Sequence, residues 1–199
     1  MIQGSEEWLE ARLGRVTASC FSDVMARGQG ITRLKYMRRI VAERLTGKPI
    51  ESYFNRDMEL GTELEPFARM EYEAQTGNLV QEVGFIQHAT LLAGSSPDGL
   101  IDDDGGLEIK SVKPTVQIET IERGGYPYEH AAQVQGNLWI LGRQWWDFVS
   151  YSPDMPEQLR LYIYRVERNE EYIQNLEAEV VKFLAEAEEM YQRLIRRAA

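Results

Sequence analysis

Residues 95–110 read S-S-P-D-G-L-I-D-D-D-G-G-L-E-I-K, and no other stretch restricts the fold of this chain as strongly. The apolar runs on either side have strand character, and the middle is rich in the Asp and Gly that favour tight turns. The expected strands cover 91–95 and 107–112, with PDGLIDDDGG as the hairpin turn between them. Asp98 ends the first strand and turns the chain. Glu108 and Lys110 lie two apart on the second strand, so the period of two puts both side chains on one face and Ile109 on the other. The hairpin then returns Asp98 to the side of Glu108, and two carboxylates and one ammonium converge on a point.

That donor set has a definite chemistry. Hard divalent cations prefer oxygen ligands and keep several waters. Paired carboxylates without a cysteine or histidine cluster point to Mg²⁺ or Mn²⁺ rather than zinc. Such an ion polarises a phosphate, lowers the pKa of a bound water and stabilises a leaving oxygen. Lys110 suits orientation of the attacking water or neutralisation of the charge that develops. A third acid is expected from a strong helix over 58–76, which carries Glu59, Glu63, Glu65, Glu71 and Glu73. Glu59, Glu71 and Glu73 read as a solvated face.

The remaining elements follow from periodicity and capping. A helix over 5–13 starts at Ser5 as N-cap, with Glu6 and Glu7 in its first turn. Thr17 or Ser19 caps the next helix, with Phe21, Val24 and Met25 facing inward. GQGITR is a loop, and 33–46 is a helix with Leu34, Met37, Ile40, Val41 and Leu45 on its apolar side, stopped by Gly47 and Pro49. A loop surrounds Phe54–Asp57, and Gly77 and Asn78 end the long helix that follows. Strands are expected at 79–82, 84–88, 145–151 and 160–166, with SPDMPE as the turn before the last, and a helix at 129–141. Residues 169–197 form a long amphipathic helix with Tyr172, Leu176, Val180, Phe183, Leu184, Met190 and Leu194 on its apolar side. This order suggests a mixed α/β domain rather than a doubly wound one.

Composition narrows the classes. The 199 residues fit one domain, 1–199, large enough to bury a full core. One cysteine, Cys20, excludes an intrachain disulfide and a Cys-rich zinc site, and reads as a small buried apolar residue in a reducing compartment. The N-terminal stretch lacks the basic start and apolar run of a secretory signal, and no run suits a membrane span, so the expected location is cytoplasmic. The net charge of −10 argues at first against a nucleic-acid partner. Many of the acids crowd the C-terminal stretch, however, and a polyanion responds to the local field of the surface it meets.

Five blocks, in order, carry a resemblance: W-L-E-A-R-L-G-R-V-T-A-S at 8–19, G-T-E-L-E-P-F-A-R at 61–69, S-S-P-D-G-L at 95–100, L-E-I-K at 107–110 and A-Q-V-Q at 132–135. The chain resembles the lambda exonuclease (YqaJ-type viral recombinase) family of the PD-(D/E)XK nuclease superfamily. The resemblance implies an α/β fold with a restriction-endonuclease-like core, a mixed central β-sheet flanked by helices, and a long C-terminal helix. It implies Asp98 and Glu108 as metal ligands, the backbone carbonyl of Ile109 as a further one, Glu65 as the acid from the helix, directly or through water, and Lys110 as the catalytic lysine. Gln133 falls near the active site. Arg12 matches the arginine that holds the 5′-phosphate of a DNA end, a task its planar fork suits, and Ser19 assists there.

The implied activity is Mg²⁺-dependent 5′→3′ digestion of one strand of duplex DNA, leaving a 3′ overhang for phage-type recombination. The implied partners are duplex DNA, two further copies of the chain in a trimeric ring, and a single-strand annealing protein, in a bacterial host cell. Two alternatives stay open: a structure-specific or single-strand nuclease of the same superfamily, and a non-catalytic acidic protein that binds a recombination partner.

Several residues have two readings. His130 lies one helical turn before Gln133, so it either faces the same cleft or simply packs. His88 reads as a polar strand end. Asp102, Asp103 and Asp104 read as turn residues, and Trp145 and Trp146 as core or subunit packing. Arg15, Lys48, Lys113 and Arg123 are candidate backbone contacts with DNA, and Tyr126 and Pro127 lie in a loop that approaches it.

Overall fold

The computed structural model describes residues 3–26, 31–50 and 56–198, with side chains omitted at 56–59 and 198. The chain runs α1 (Glu6–Arg12), β1 (Val16–Thr17), a 3-10 turn (Ala18–Cys20), α2 (Phe21–Met25), α3 (Ile31–Thr46) and α4 (Arg56–Thr76). It continues through β2 (Val80–Gln81), β3 (Ile86–Gln87), β4 (Ala93–Ser95), β5 (Gly99–Ile101), β6 (Gly105–Ser111) and α5 (Pro114–Arg123). A 3-10 turn (Tyr128–His130) leads to α6 (Ala131–Leu141), then β7 (Trp145–Tyr151), α7 (Glu157–Arg160), β8 (Leu161–Glu167) and α8 (Glu170–Ala198). Parts of the expected loops at 28–33 and 54–57, and the Glu59 side chain, lie outside the described residues.

The main sheet has the order β2-β5-β6-β7-β8. It is mixed: β6 and β7 run parallel, and the other neighbours are antiparallel. A smaller sheet, β1-β4-β3, lies apart from it. The expected α/β architecture with a central mixed sheet and a long C-terminal helix is the one observed.

Two apolar clusters follow from strand alternation and a third from helix packing. On one face of the main sheet, Ile101, Leu107, Ile109, Val149 and Tyr151 pack against Ala68 and Tyr72 of α4. On the other, Leu100, Trp146, Phe148 and Val166 meet Val134 and Leu138 of α6 and Ile173 of α8. A helical layer of Phe21, Val24, Tyr36, Met37, Ile40 and Val41 then closes on Leu176, Val180, Phe183 and Ala187 of α8. Helix α6 therefore lies sandwiched, with buried residues on most sides, and its polar side chains are confined to a few places.

The structure corrects several details. The hairpin is β5–β6, a shorter one than expected, and 93–95 belongs to the other sheet. Asp98 thus lies between β4 and β5, just before the hairpin, rather than at the end of one of its strands. Neither Thr17 nor Ser19 caps a helix by its side chain, because the backbone there first forms β1 and a 3-10 turn. Leu34, Leu45 and Leu194 are exposed; Tyr36 and Glu43 share the inner face of α3 instead. Glu71 and Glu73 are not a solvated face. Glu71 accepts from Arg160 at 3.0 Å and Tyr151 at 3.3 Å, and Glu73 accepts the Val80 amide at 2.8 Å. Helix α5 was not expected at all. Its inner face is polar (Gln117, Thr120) and its outer face carries Val116 and Ile118, the reverse of the usual pattern.

Ser5 caps α1 as expected, accepting the Trp8 amide. Trp146 is fully buried, and Trp145 lies under the Arg165 guanidinium at 3.6 Å. The close approach of β6 to β7 needs a bare backbone at Gly106, where a Cβ would meet the Trp146 ring. Gly106→Ala is expected to cost about 1–3 kcal/mol through overpacking. A fall in the denaturant midpoint at unchanged slope checks this, and an unchanged midpoint would show that the ring can give way.

Candidate active site

The site begins with an interruption in the sheet. β5 pairs with β6 only as far as Gly99↔Leu107. Beyond that point no strand among the described residues lies along the edge of β6 facing β5, and the amide of Ile109 needs an acceptor. The Asp98 carboxylate supplies it, with Oδ2 at 2.7 Å. One bond both completes the strand edge and fixes Asp98 beside Glu108.

Glu108 points to the α6 side, since its neighbours Leu107 and Ile109 face α4. It is 1% exposed. Oε1 accepts from Lys110 Nζ at 2.6 Å and from Gln133 Nε2 at 2.5 Å, and Oε2 accepts from Asn137 Nδ2 at 3.1 Å. Gln133 and Asn137 lie four apart on α6 and so share one face. Glu65, on α4, lines a cleft of about 340 Å³ with Asp98, Pro66, Arg69, Glu82 and Pro97. Glu65 pairs with Arg69 at 2.5 Å, and Arg69 also pairs with Glu82 at 2.6 Å.

The electrostatics are those of crowded acids. Burial pushes the Asp98 carboxyl well above its ordinary range, and Glu108 and Glu65 add to the rise. Glu65 is raised as well, by burial first, with Glu108 and Glu82 contributing. Burial opposes the charge on Lys110, but Glu108 and Asp98 outweigh it and its pKa lies above the ordinary lysine value. Lys110 is therefore an ammonium ion here, a donor and a positive charge rather than a base. Four carboxylates (Glu65, Glu82, Asp98, Glu108) face two cations (Arg69, Lys110), and the surplus is negative.

Among the described residues, no three acid, histidine or cysteine side chains are gathered tightly enough to hold an ion by themselves. Mg²⁺ does not require that, because it commonly takes one or two carboxylates and completes its shell with water and phosphate. An all-oxygen set with excess negative charge fits such an ion.

A second cavity, of about 310 Å³, is lined by Arg12, Arg15, Arg39, Thr17, Ser19 and Cys20 among others. Arg12 lies over the Trp8 ring at 3.9 Å and donates to Ser96 Oγ at 3.2 Å; Trp8 Nε1 donates to the same oxygen at 2.9 Å. Ser96 is two residues before Asp98, so the arginine is tied to the acidic loop. Burial lowers the pKa of Arg12, and the charge of Arg39 works in the same direction. Cys20 is half-buried at this cavity, with Arg39 Nη2 at 3.5 Å from its sulfur, and is not the enclosed apolar residue expected.

The sequence-derived site is brought together at Asp98, Glu108, Lys110, Gln133 and Glu65, with Arg12, Arg15 and Ser19 around the second cavity. His130 stacks on Phe148 at 5.3 Å, and Phe148 is the β7 neighbour of Glu108. Burial, then the charge of Lys110, lowers its pKa to about 4. Lys113 lines a different groove, between α4 and α5. Arg123 pairs with Glu119 at 2.7 Å, and Lys48 is exposed. Tyr126 packs on Phe148 and Tyr164. His88 packs on Trp139 with the rings tilted and 5.1 Å apart, and accepts the Thr90 and Leu91 amides. Asp102, in the left-handed region at φ 45°, lies in the hairpin turn. Sequence reasoning missed Ser96, Arg39 and Asn137. Only Asn137 left a signal, as a second amide one turn after Gln133.

This fold and this acidic, lysine-bearing site define an α/β protein of the nuclease-like class. A family model described as the YqaJ-like viral recombinase domain matches residues 7–144, and the chain belongs to that family. No curated protein sequence matches the chain. A solved alkaline exonuclease, LHK-Exo from Laribacter hongkongensis, is 43% identical over 98% of both chains, with a TM-score of 0.91. The same protein in complex with dAMP gives 44% identity over 98% of both chains and a TM-score of 0.92. A phage-related exonuclease from Haemophilus somnus 129PT shares the fold, at 13% identity and TM-score 0.68 over 93% of this chain and 96% of its own. Among the described residues no helix is long and apolar enough to cross a membrane.

The His130 shift has a definite sign. Its pKa in the folded chain, about 4, lies below the ordinary 6.5. The unfolded chain therefore takes up the proton first, and stability is lost as pH falls from about 6.5 towards 4. His130→Gln is expected to flatten that part of the stability profile, and the His130 ring to titrate near 4 by NMR. Titration at the ordinary value would contradict its placement beside Lys110.

Proposed function

We propose that residues 1–199 act as one divalent-metal-dependent deoxyribonuclease domain, which digests one strand of duplex DNA from a 5′-phosphorylated end and leaves a 3′ overhang for recombination. The observation that carries this reading is the convergence of Asp98, Glu108 and Lys110 on the unpaired edge of β6. Membership of the recombinase family and the likeness to an alkaline exonuclease support it. The dAMP complex of that relative agrees with release of deoxynucleoside monophosphates.

In this reading Asp98, Glu108 and the Ile109 carbonyl would hold Mg²⁺, or Mn²⁺ as a substitute, with Glu65 as the further acid. The bound ion supplies Lewis-acid polarisation of the phosphate and a more acidic water. The protein's own groups do the rest. Lys110, charged throughout the neutral range, donates to the attacking water or to the phosphate oxygens as negative charge builds on them. Gln133 and Lys110 together hold one oxygen of Glu108 in place. Arg12, with Ser19 beside it and Arg15 at the rim, takes the terminal phosphate. An arginine partly withdrawn from water next to another arginine gains most from a doubly charged anion. A pocket closed around a chain end admits no continuous strand, which makes the enzyme an exonuclease. Family membership also supports a ring of three copies around the duplex, working beside a single-strand annealing protein. A closed ring retains a DNA partner that the net charge of −10 would otherwise repel.

The test is digestion of an end-labelled duplex with and without Mg²⁺. The labelled 5′-phosphorylated strand is expected to shorten from its 5′ end only with the ion. Asp98→Asn should abolish digestion, and Lys110→Ala should slow it by about 10²–10³-fold. Arg12→Ala should remove the preference for 5′-phosphate over 5′-hydroxyl ends. Digestion of single strands or of branched duplexes in preference to ends would favour the structure-specific alternative.

A further inference from the structure

The least expected side chain near the acidic site is Asn137. It is 1% exposed, on a helix whose other buried residues include Ala131, Ala132, Val134 and Leu138. An amide in such surroundings is costly unless both its ends are satisfied. Both are. Nδ2 donates to Glu108 Oε2 at 3.1 Å, and Oδ1 accepts from the Ser95 hydroxyl at 2.6 Å. Ser95 is fully buried at the end of β4, three residues before Asp98. The relay admits only one orientation of the amide. A carboxylate accepts and cannot donate, so nitrogen must face Glu108, and the oxygen left over must face the hydroxyl.

The last torsion of a glutamate is soft and broadly populated. Lys110 and Gln133 both bond to Oε1, which fixes one oxygen and leaves the plane of the carboxylate free to swing about it. Asn137 holds the other oxygen, and two fixed points define the plane. We propose that Asn137, locked by Ser95, is the positioning residue that sets the rotation of the Glu108 carboxylate and so its ability to bind a divalent cation. The Ser95 end also ties this carboxylate to the chain segment that carries Asp98, so both acids are referenced to one buried bond. The inference rests on the nuclease reading above for the identity of the ion, and on the hydrogen bonds alone for the relay.

The test compares Asn137→Leu, which keeps the branched shape and removes both bonds, with Ser95→Ala, which removes the hydroxyl that anchors the far end of the amide. Three quantities are read: Mn²⁺ binding by calorimetry without DNA, the split between kcat and KM on duplex, and the thermal midpoint. For Asn137→Leu the expected result is Mn²⁺ affinity and kcat each lowered about 10–100-fold, with KM unchanged and a lower midpoint, since the buried Ser95 hydroxyl and one Glu108 oxygen lose their partner. Ser95→Ala should shift the same two quantities in the same direction by less. A purely structural role would lower the midpoint and leave affinity alone. Mn²⁺ affinity and kcat within twofold of the parent in both variants would overturn the proposal. Where Asn137→Leu fails to fold, Ser95→Ala decides. Digestion by the parent and by Asp98→Asn, run alongside, separates the two readings: no Mg²⁺-dependent digestion by the parent removes the nuclease reading, digestion surviving in Asp98→Asn removes Asp98 from the site, and the Mn²⁺ titration still judges the relay.

Discussion

The bond from the Ile109 amide to Asp98 does the work of a missing strand. A sheet edge left open on the core side must satisfy its amides or pay for them. Extending β5 by two more pairs, back to Pro97, would satisfy this one, but it would also fill the space beside Glu108 with backbone. Ending the pairing at Gly99 and substituting a carboxylate solves the same hydrogen-bonding problem and leaves a charged group at the gap. The rest of the site follows from that substitution. Glu65 reaches the gap from α4, Arg69 holds Glu65, and Ser96 carries the connection from the Asp98 loop to Arg12. Stability and chemistry share the same atoms here.

Charge is distributed with the same economy. The chain carries 32 acids against 22 lysines and arginines. Part of the acidic excess lies along α8, where half-buried Glu186 and Glu188 take ion pairs from Arg33 and Arg44 of α3. Another part is concentrated at the gap in the sheet. The arginines that line the second cavity include Arg12 and Arg39, with Glu43 as the acid among its walls. Net charge therefore describes neither surface: one is suited to a cation, the other to an anion, and the total reports only their sum with the solvated helix.

The parts legible in the sequence were those where local pattern and tertiary role agree. Alternation gave β7 to the residue, and the caps at Ser5, Gly77 and Gly142 bounded their helices. Asp98, Glu108 and Lys110 could be placed together because period two and one hairpin suffice. Helix α5 shows why the rest was hidden. Pro114 and Gly124 mark its ends correctly, but Gln117 spends its amide on the carbonyls of Ser150, Leu159 and Arg160, so its buried side is polar. No hydrophobic period survives that arrangement. Leu34 and Leu45 failed for the opposite reason. They have helical spacing, but α8 crosses α3 over Tyr36 and Ile40, and the direction of that crossing is a tertiary fact.

Helix α6 raises the sharper question of why a sandwiched helix should carry Gln133, Gln135 and Asn137 at all. An all-apolar version would pack as well and avoid the desolvation of three amides. Each amide, however, ends on a group the sheet or α8 cannot otherwise satisfy. Gln135 donates to the Glu167 carbonyl at 2.9 Å and accepts the Asn169 amide at 2.9 Å, which fixes where β8 gives way to α8. Gln133 and Asn137 hold the two oxygens of a buried carboxylate. Apolar contacts tolerate a helix sliding or turning by a fraction of a residue; bonds of this length do not. The polar positions of α6 thus fix its rotation and register against both neighbours, and a displaced helix would leave a buried charge with Lys110 as its remaining donor of the three. The geometry around Glu108 is held by the penalty for every other arrangement.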